Sequence, residues 1–336
     1  SLLLLGSATP SIESFSRAES GEYRKFCLTK RAVLGSCLPN VQVVDMRKEL
    51  ASGNRSVFSR ELREKMEECL AKKQQMMLFI NRRGFSRVVS CRSCGKPIEC
   101  PHCDVALTEH LGDKLVCHYC GYTKAMPRSC PLCGSPYLAG FGLGTQKAEM
   151  MIKAQFPSAR VLRMDMDTTS KKDGHEQILD SFRRREADIL VGTQMIVKGH
   201  DFPGVTLVGI LAADMSLYNC DFRSSERTFQ LLTQAAGRAG RGSEPGEVVI
   251  QTYTPEHYSI EAAKEQDYRM FYEQEIRYRD LLNYPPVWNL LVILISSREE
   301  ENATKAAEQI EKKIAQMQLK TVAVIGPTEP AVAKIN

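Results

Sequence analysis

Eight of the twelve cysteines in this 336-residue chain fall into four pairs of identical spacing, Cys91-x-x-Cys94, Cys100-x-x-Cys103, Cys117-x-x-Cys120 and Cys130-x-x-Cys133, all within 43 residues. A C-x2-C turn offers two thiolates to one ion, and two such turns complete the tetrahedral four-sulfur set that structural zinc takes. The eight thiols therefore predict two Zn2+ ions. Spacing alone does not fix which turns share a metal. We favour a nested arrangement, in which Cys100, Cys103, Cys117 and Cys120 form an inner ribbon whose halves lie 13 residues apart, and Cys91, Cys94, Cys130 and Cys133 close a second site around it. Cys100-Pro101-His102-Cys103 also spells a thioredoxin-like redox pair, but that chemistry needs one dithiol at a helix N-terminus, and four successive pairs favour metal. His102, His110 and His118 are spare, since eight thiolates already fill two sites.

A second set of residues suits phosphoryl transfer. In Gln234 to Arg241 (QAAGRAGR), Gln234, Arg238 and Arg241 stand at i, i+4 and i+7. On a helix they would share one face, with small residues between them allowing close backbone approach. Two arginines there would neutralise charge building on a γ-phosphate. A solvated basic helix end would account for one arginine, but not for the glutamine and the glycines. Thr193 and Gln194, with Lys198 to Asp201 (KGHD), follow a candidate strand, and the carboxyl ends of parallel strands are where α/β proteins bind ligands. Gly6-Ser7-Ala8-Thr9-Pro10 sets small hydroxyl residues between a strand and a helix, a place for phosphate contact that any βα turn could share. Two parts of such a motor do not occur: Gly95-Lys96, inside the cysteine cluster, is the sole Gly-Lys pair, and there is no Asp-Glu pair. Without a phosphate-cradling P-loop or the acidic DExH segment that holds magnesium, this chain alone is expected not to hydrolyse ATP.

These residues need a scaffold. Bare aliphatic runs at Val41 to Asp45, Met76 to Asn81, Val161 to Met164, Asp188 to Gly192, Thr206 to Ala213 and Glu247 to Tyr253 predict parallel strands covered on both faces. Ser59 caps a helix that puts Leu62, Met66, Cys69 and Leu70 on one face, and segments 174–185 and 224–237 are amphipathic in the same way. Cys27, Cys37, Cys69 and Cys220 read as small core residues. The class is α/β. From about Ser90 to Gly140 the cysteine insert breaks the rhythm, which resumes until about Tyr258; a long helical region, Ser259 to Asn283, then leads to a small β-α-β element over Leu290 to Ile325. Ser1 to Leu5 reads as a buried strand rather than a signal peptide, and both ends look abrupt, as in a piece of a longer protein. Hydrophobic residues at 43% and charged residues at 25% exclude a disordered chain. No apolar run reaches the roughly 20 residues of a membrane helix, so a soluble protein is expected. The formal net charge of +5 falls to about +1 once eight thiolates and two Zn2+ are included, so it does not by itself point to nucleic acid.

Taken in order, Gly6-Ser7-Ala8-Thr9, Phe79 to Gly84 (FINRRG), the eight-cysteine insert, Gly142-Leu143-Gly144-Thr145, Val191 to Met195 (VGTQM) with Lys198 to Pro203 (KGHDFP), and Gln234 to Arg241 resemble the PriA family of bacterial primosomal helicases. The resemblance spans most of the chain. GSAT and QxxGRxGR are shared by many superfamily 2 helicases, whereas a zinc cluster directly after an NRRG strand is far more particular. The resemblance implies an ATP-dependent DNA helicase of 3′ to 5′ polarity, cytoplasmic and nucleoid-associated. Such a helicase acts at stalled or abandoned replication forks with primosome proteins and single-stranded DNA-binding protein. It also implies a RecA-like helicase lobe with a parallel sheet, an inserted Cys-rich two-zinc domain and a partial α+β C-terminal domain. By that division residues 1–20 are the tail of lobe 1 with motif III, and 21–90 and 140–258 are lobe 2 with motifs IV to VI. Residues 91–139 are the zinc insertion, and 259–336 are a helical linker and the partial C-terminal domain.

Carried over onto matching positions, the resemblance has Ser7 and Thr9 couple nucleotide state to DNA and places Asn81 and Arg82 in motif IV. Thr193, Gln194, Lys198 and Asp201 fall in motif V, facing DNA and the nucleotide cleft. Gln234, Arg238 and Arg241 form motif VI, with Arg241 the expected arginine finger and Arg238 the next candidate. ATP with Mg2+ would be the substrate of the full-length protein, and the family favours the nested zinc pairing. The rival reading is a zinc-ribbon module that binds nucleic acid or a partner without motor activity. It would draw on Tyr119, Tyr122 and Tyr137 as stacking platforms, but it leaves the spacings around Thr193 and Gln234 without a reason.

Overall fold

The computed structural model describes residues 3–28, 38–80, 87–102, 106–110, 114–117, 121–140, 144–165, 168–169, 174–197, 201–218, 221–242, 244–319, 321–324 and 326–327. The first elements are α1 (Ile12–Glu19), β1 (Asn40–Asp45), α2 (Met46–Ala51), α3 (Arg60–Ala71) and β2 (Gln75–Ile80). The insert follows with β3 (Arg87–Cys91), β4 (Thr108–His110), β5 (Lys114–Val116), β6 (Thr123–Ala125) and β7 (Leu138–Gly140). Alternation then resumes through α4 (Thr145–Gln155), β8 (Val161–Met164), α5 (Gly174–Arg183), β9 (Ile189–Gly192), β10 (Val205–Leu211), α6 (Ser224–Ala236) and β11 (Glu247–Thr252). The last helices are α7 (Tyr258–Glu265), α8 (Tyr268–Leu281) and α9 (Glu300–Gln316).

Six strands form one parallel sheet in the order β1-β11-β10-β2-β9-β8, each within two residues of its expected bounds. Strand side chains alternate between faces, and here both faces are apolar. β2 sends Met77 and Phe79 into one core and Met76, Leu78 and Ile80 into the other; β10 divides Val208 and Ile210 from Leu207 and Leu211. The first core is closed by Phe182 of α5, Phe229 and Leu232 of α6, Ile260 of α7 and Phe271 of α8, and the second by Leu62 and Met66 of α3 and Ala148 and Ile152 of α4. This two-sided burial is why the strands read as bare runs. Ser59 caps α3 as expected, its side chain accepting from Leu62 N–H at 3.1 Å.

The insert has its own antiparallel sheet, β6-β5-β4-β3-β7. Its first and last strands are neighbours, with Cys91 opposite Leu138. The chain therefore leaves and rejoins the lobe at adjacent points, which lets some fifty residues be inserted between β2 and α4 without interrupting the parallel sheet.

Several expectations are corrected. The helical region over 259–283 is two helices: Gln266 adopts left-handed φ of +53°, and Asp267 starts α8 by accepting from the N–H groups of Arg269 and Met270. Of the β-α-β element only α9 forms. Residues 290–296 and 321–324 join no sheet among the described residues, and Leu291 stays 84% exposed. Ile325 lies outside the described residues. Leu3 to Leu5 are exposed and unpaired rather than a buried strand, and Ser1 and Leu2 lie outside the described residues. Cys69 is buried, but Cys27 is exposed; Cys37 and Cys220 lie outside the described residues. Among the described residues no helix is long and apolar enough to cross a membrane.

Candidate functional site

The turn at Cys91 is closed by two backbone hydrogen bonds, from Gly95 N–H to Cys91 O (2.8 Å) and from Cys91 N–H to Lys96 O (2.9 Å). The same pair recurs at Cys130, with Gly134 and Ser135 (2.9 and 2.8 Å), and at Cys117, with Gly121 and Tyr122 (3.0 and 2.8 Å). In all three the glycine sits at positive φ, between +70° and +77°, a region that side chains with a Cβ avoid. The Sγ atoms of Cys91, Cys94, Cys130 and Cys133 lie within 4.8 Å of one another, with Cys91 to Cys133 at 3.6 Å and Cys94 to Cys130 at 3.9 Å. A tetrahedron of ~2.3 Å Zn–S bonds has edges of about 3.8 Å, so this donor set fits zinc. Bound there, the ion would cross-link the two turns structurally. Burial opposes ionisation of Cys91, but the N–H groups of Cys94 and Ser93 outweigh it and hold the thiol down to about 7. At Cys94 burial prevails over the Lys96 N–H and pushes the thiol up to about 12.

Of the inner set, Cys100 and Cys117 are fully buried in a small core with Val89, Ile98, Leu107 and Leu115. Cys103, Cys120, His118 and Tyr119 lie outside the described residues. Tyr122 packs against that core, edge-on to His102 at 5.2 Å, and Tyr137 Oη accepts from Arg55 Nη2 at 3.0 Å. Both rings are thus engaged within the molecule.

The outer turn is fastened to the lobe by residues that no spacing in the sequence singles out. Arg92 Nε donates to Tyr253 Oη (2.9 Å) just past β11, and Tyr218 Oη, between β10 and α6, donates to Gly95 O (2.8 Å). A Cβ on Gly95 would lie 2.2 Å from Tyr253 O.

The residues suited to phosphoryl transfer gather at opposite ends of the parallel strands. Thr193 and Gln194 follow the carboxyl end of β9 and are half-buried; Asn81, Arg82 and Lys198 lie outside the described residues. At the opposite, amino end of the strands, Arg241 Nη1 meets Asp201 Oδ1 at 3.4 Å, and Gly240 N–H donates to Val205 O, the first residue of β10. Gln234, Arg238 and Arg241 do not share a helix face as expected. α6 stops at Ala236, Gly237 caps it, and Gly240 at φ +70° turns the chain so tightly that a Cβ would sit 2.4 Å from Gly246 N. Arg241 folds back to donate from Nε to Gly237 O (2.8 Å). Burial, and then the neighbouring Arg241, lower the pKa of Arg238. Gln234 is exposed on α6. Thr9 is buried, its carbonyl accepting from Gln230 Nε2 (3.3 Å), while Ser7 is exposed and accepts from Thr9 N–H (3.1 Å).

Comparison with known proteins gives this geometry a family. Residues 140–243 match the helicase conserved C-terminal domain, and residues 100–124 match the PriA DNA helicase Cys-rich region domain. Replication restart protein PriA of Bacillus subtilis is 49% identical over 99% of this chain and 42% of that protein. The chain belongs to the PriA family. The PriA of Synechocystis sp. is 48% identical over 99% of this chain and 41% of its own length, and that of Haemophilus influenzae 38% identical over 97% and 44%. The chain thus spans less than half the length of these PriA relatives. Its parallel sheet, covered on both faces, is a RecA-like helicase lobe, and its Cys-rich insert is a zinc-binding module. The helicase match encloses Thr193, Gln194, Asp201, Gln234, Arg238 and Arg241, and the Cys-rich match encloses Cys100, Cys103, Cys117 and Cys120.

Proposed function

We propose that the full-length protein is an ATP-dependent 3′ to 5′ DNA helicase of replication restart, and that this chain is its second motor lobe with the zinc module. The observation that carries this reading is the contact of Arg241 with Asp201 near the amino end of β10, while Thr193 and Gln194 stand at the carboxyl end of β9. A motor lobe needs this separation. One end of the strands supplies positive charge to the γ-phosphate of ATP-Mg2+ held by a partner lobe, and the other grips the DNA backbone, so that closure moves the strand. In this reading Arg241 is the arginine finger, released from Asp201 when nucleotide arrives, with Arg238 the next candidate and Gln234 the third residue of the set. Thr193, Gln194 and Lys198, with Asn81 and Arg82, face DNA, and Ser7 and Thr9 couple the lobes.

The zinc module holds two structural ions. Support for the second is that the Cys117 turn repeats the hydrogen bonds of the two outer turns and that Cys100 and Cys117 share one core. Forked DNA, primosome proteins and single-stranded DNA-binding protein are the partners, in the bacterial cytoplasm. The test is ATP hydrolysis by the full-length protein with and without a branched DNA. Arg241→Ala is expected to abolish DNA-stimulated hydrolysis and leave zinc content intact; retained turnover removes the finger assignment.

A further inference from the structure

Glu226, Gln230 and Gln234 stand at i, i+4 and i+8 on α6 and so form one line along the helix. Gln230 Nε2 donates to Thr9 O and to Glu226 Oε1, both at 3.3 Å. That same Glu226 oxygen accepts from Ile12 N–H, at the start of α1, at 3.1 Å. The other, Oε2, accepts from Arg279 Nη2 at 2.6 Å. Arg279 is 1% exposed and also binds Glu275 through Nε (2.8 Å) and, through Nη1, Glu13 (3.4 Å) and Pro285 O (3.0 Å). A buried ion network of this kind is costly to desolvate and is weak ground for stability. What it does here is fix position: it joins the loop before α1, the helix leading to Gln234, and α8 at one point.

We propose that Gln230 and Glu226 are positioning residues that fasten the Thr9 loop to the helix leading into Gln234, with Arg279 locking Glu226 in place. The proposal rests on the motor reading and deepens it. In that reading Thr9 belongs to the tail of lobe 1 and α6 to lobe 2, so when nucleotide draws Gln234 and the following arginines toward lobe 1, the line along α6 holds Thr9 in register with them, and hydrolysis and strand movement stay in step. The contact touches neither nucleotide nor DNA. Its loss therefore lowers the number of base pairs displaced per ATP hydrolysed, not the hydrolysis rate itself.

The experiment compares full-length wild type, Gln230→Met and Gln230→Lys for DNA-stimulated ATP hydrolysis and for base pairs displaced per ATP. Met keeps the length but has no donor; Lys can still donate to Thr9 O and pair with Glu226. One lost hydrogen bond in the strap predicts about a fivefold fall in base pairs per ATP for Gln230→Met, with hydrolysis within twofold of wild type and recovery in Gln230→Lys. Glu13→Gln, at the half-exposed rim of the network, should give a smaller fall in the same ratio. An unchanged ratio in both Gln230→Met and Glu13→Gln, with wild type active, overturns the proposal alone. A wild type that neither hydrolyses ATP nor displaces DNA overturns the motor reading, and this proposal with it.

Discussion

His257 caps α7 with a neutral imidazole whose Nδ1 accepts from Ser259 N–H at 3.2 Å, and burial holds its pKa down to about 4. An unfolded histidine titrates near 6.5. The unfolded chain therefore binds more protons between these values, and the contribution of this site is complete above pH 6.5 and falls away as pH drops toward 4. The loss is about 3 kcal/mol across that window. Denaturant unfolding of this chain from pH 8 to pH 4, beside His257→Ser, which keeps a capping oxygen, should show a steeper acid decline in wild type; parallel profiles would contradict it. The cysteine pairs make a second prediction at this scale. Metal analysis should find two zinc ions per chain, and Cys91→Ser or the pair Cys117→Ser with Cys120→Ser should each remove one. The cluster of Cys91, Cys94, Cys130 and Cys133 was legible in the sequence because a C-x2-C turn is local chemistry. Arg92, Tyr218 and Tyr253, which hold the outer turn to the lobe, were not, because they meet only through tertiary packing and carry no spacing of their own.

Helix and strand boundaries were legible wherever burial imposed a pattern. β2 and β10 feed both cores and read as bare runs, and the apolar stripe of α3 follows its Ser59 cap. Legibility failed where pattern met a local override. Apolar periodicity runs through 259–283, but the left-handed Gln266 and the Asp267 cap divide it. Asp267→Ala should cost about 1 kcal/mol, read as a lowered melting temperature, since Phe271 of α8 belongs to the lobe's core; no change would mean the cap is already replaced by solvent. The Gln234 to Arg241 face failed for the same kind of reason, because Gly237 and Gly240 outweigh helical spacing. For the insert, Gly95→Ala forces the Cys91 turn away from Tyr253 O. Hydrogen exchange over residues 91–97 should rise while β4 and β5 keep their protection; an unchanged pattern would show that the docking contact is dispensable.

At the scale of the whole molecule, the parallel lobe bears Arg241 and Asp201 near the amino end of its strands and Thr193 at the carboxyl end, and the zinc module is stitched to it through adjacent strands and the Arg92 contacts. In the proposed reading that arrangement is half of a motor, so the full-length protein must reveal its action. The decisive measurement is strand displacement from a branched DNA by the full-length protein, with and without ATP, using wild type and Arg241→Ala matched for zinc content. ATP-dependent displacement that proceeds 3′ to 5′ and vanishes in Arg241→Ala is the predicted result. Binding to the branched DNA without displacement, unaffected by ATP and by Arg241→Ala, would contradict the account and leave a zinc-ribbon binding module on an inert α/β scaffold.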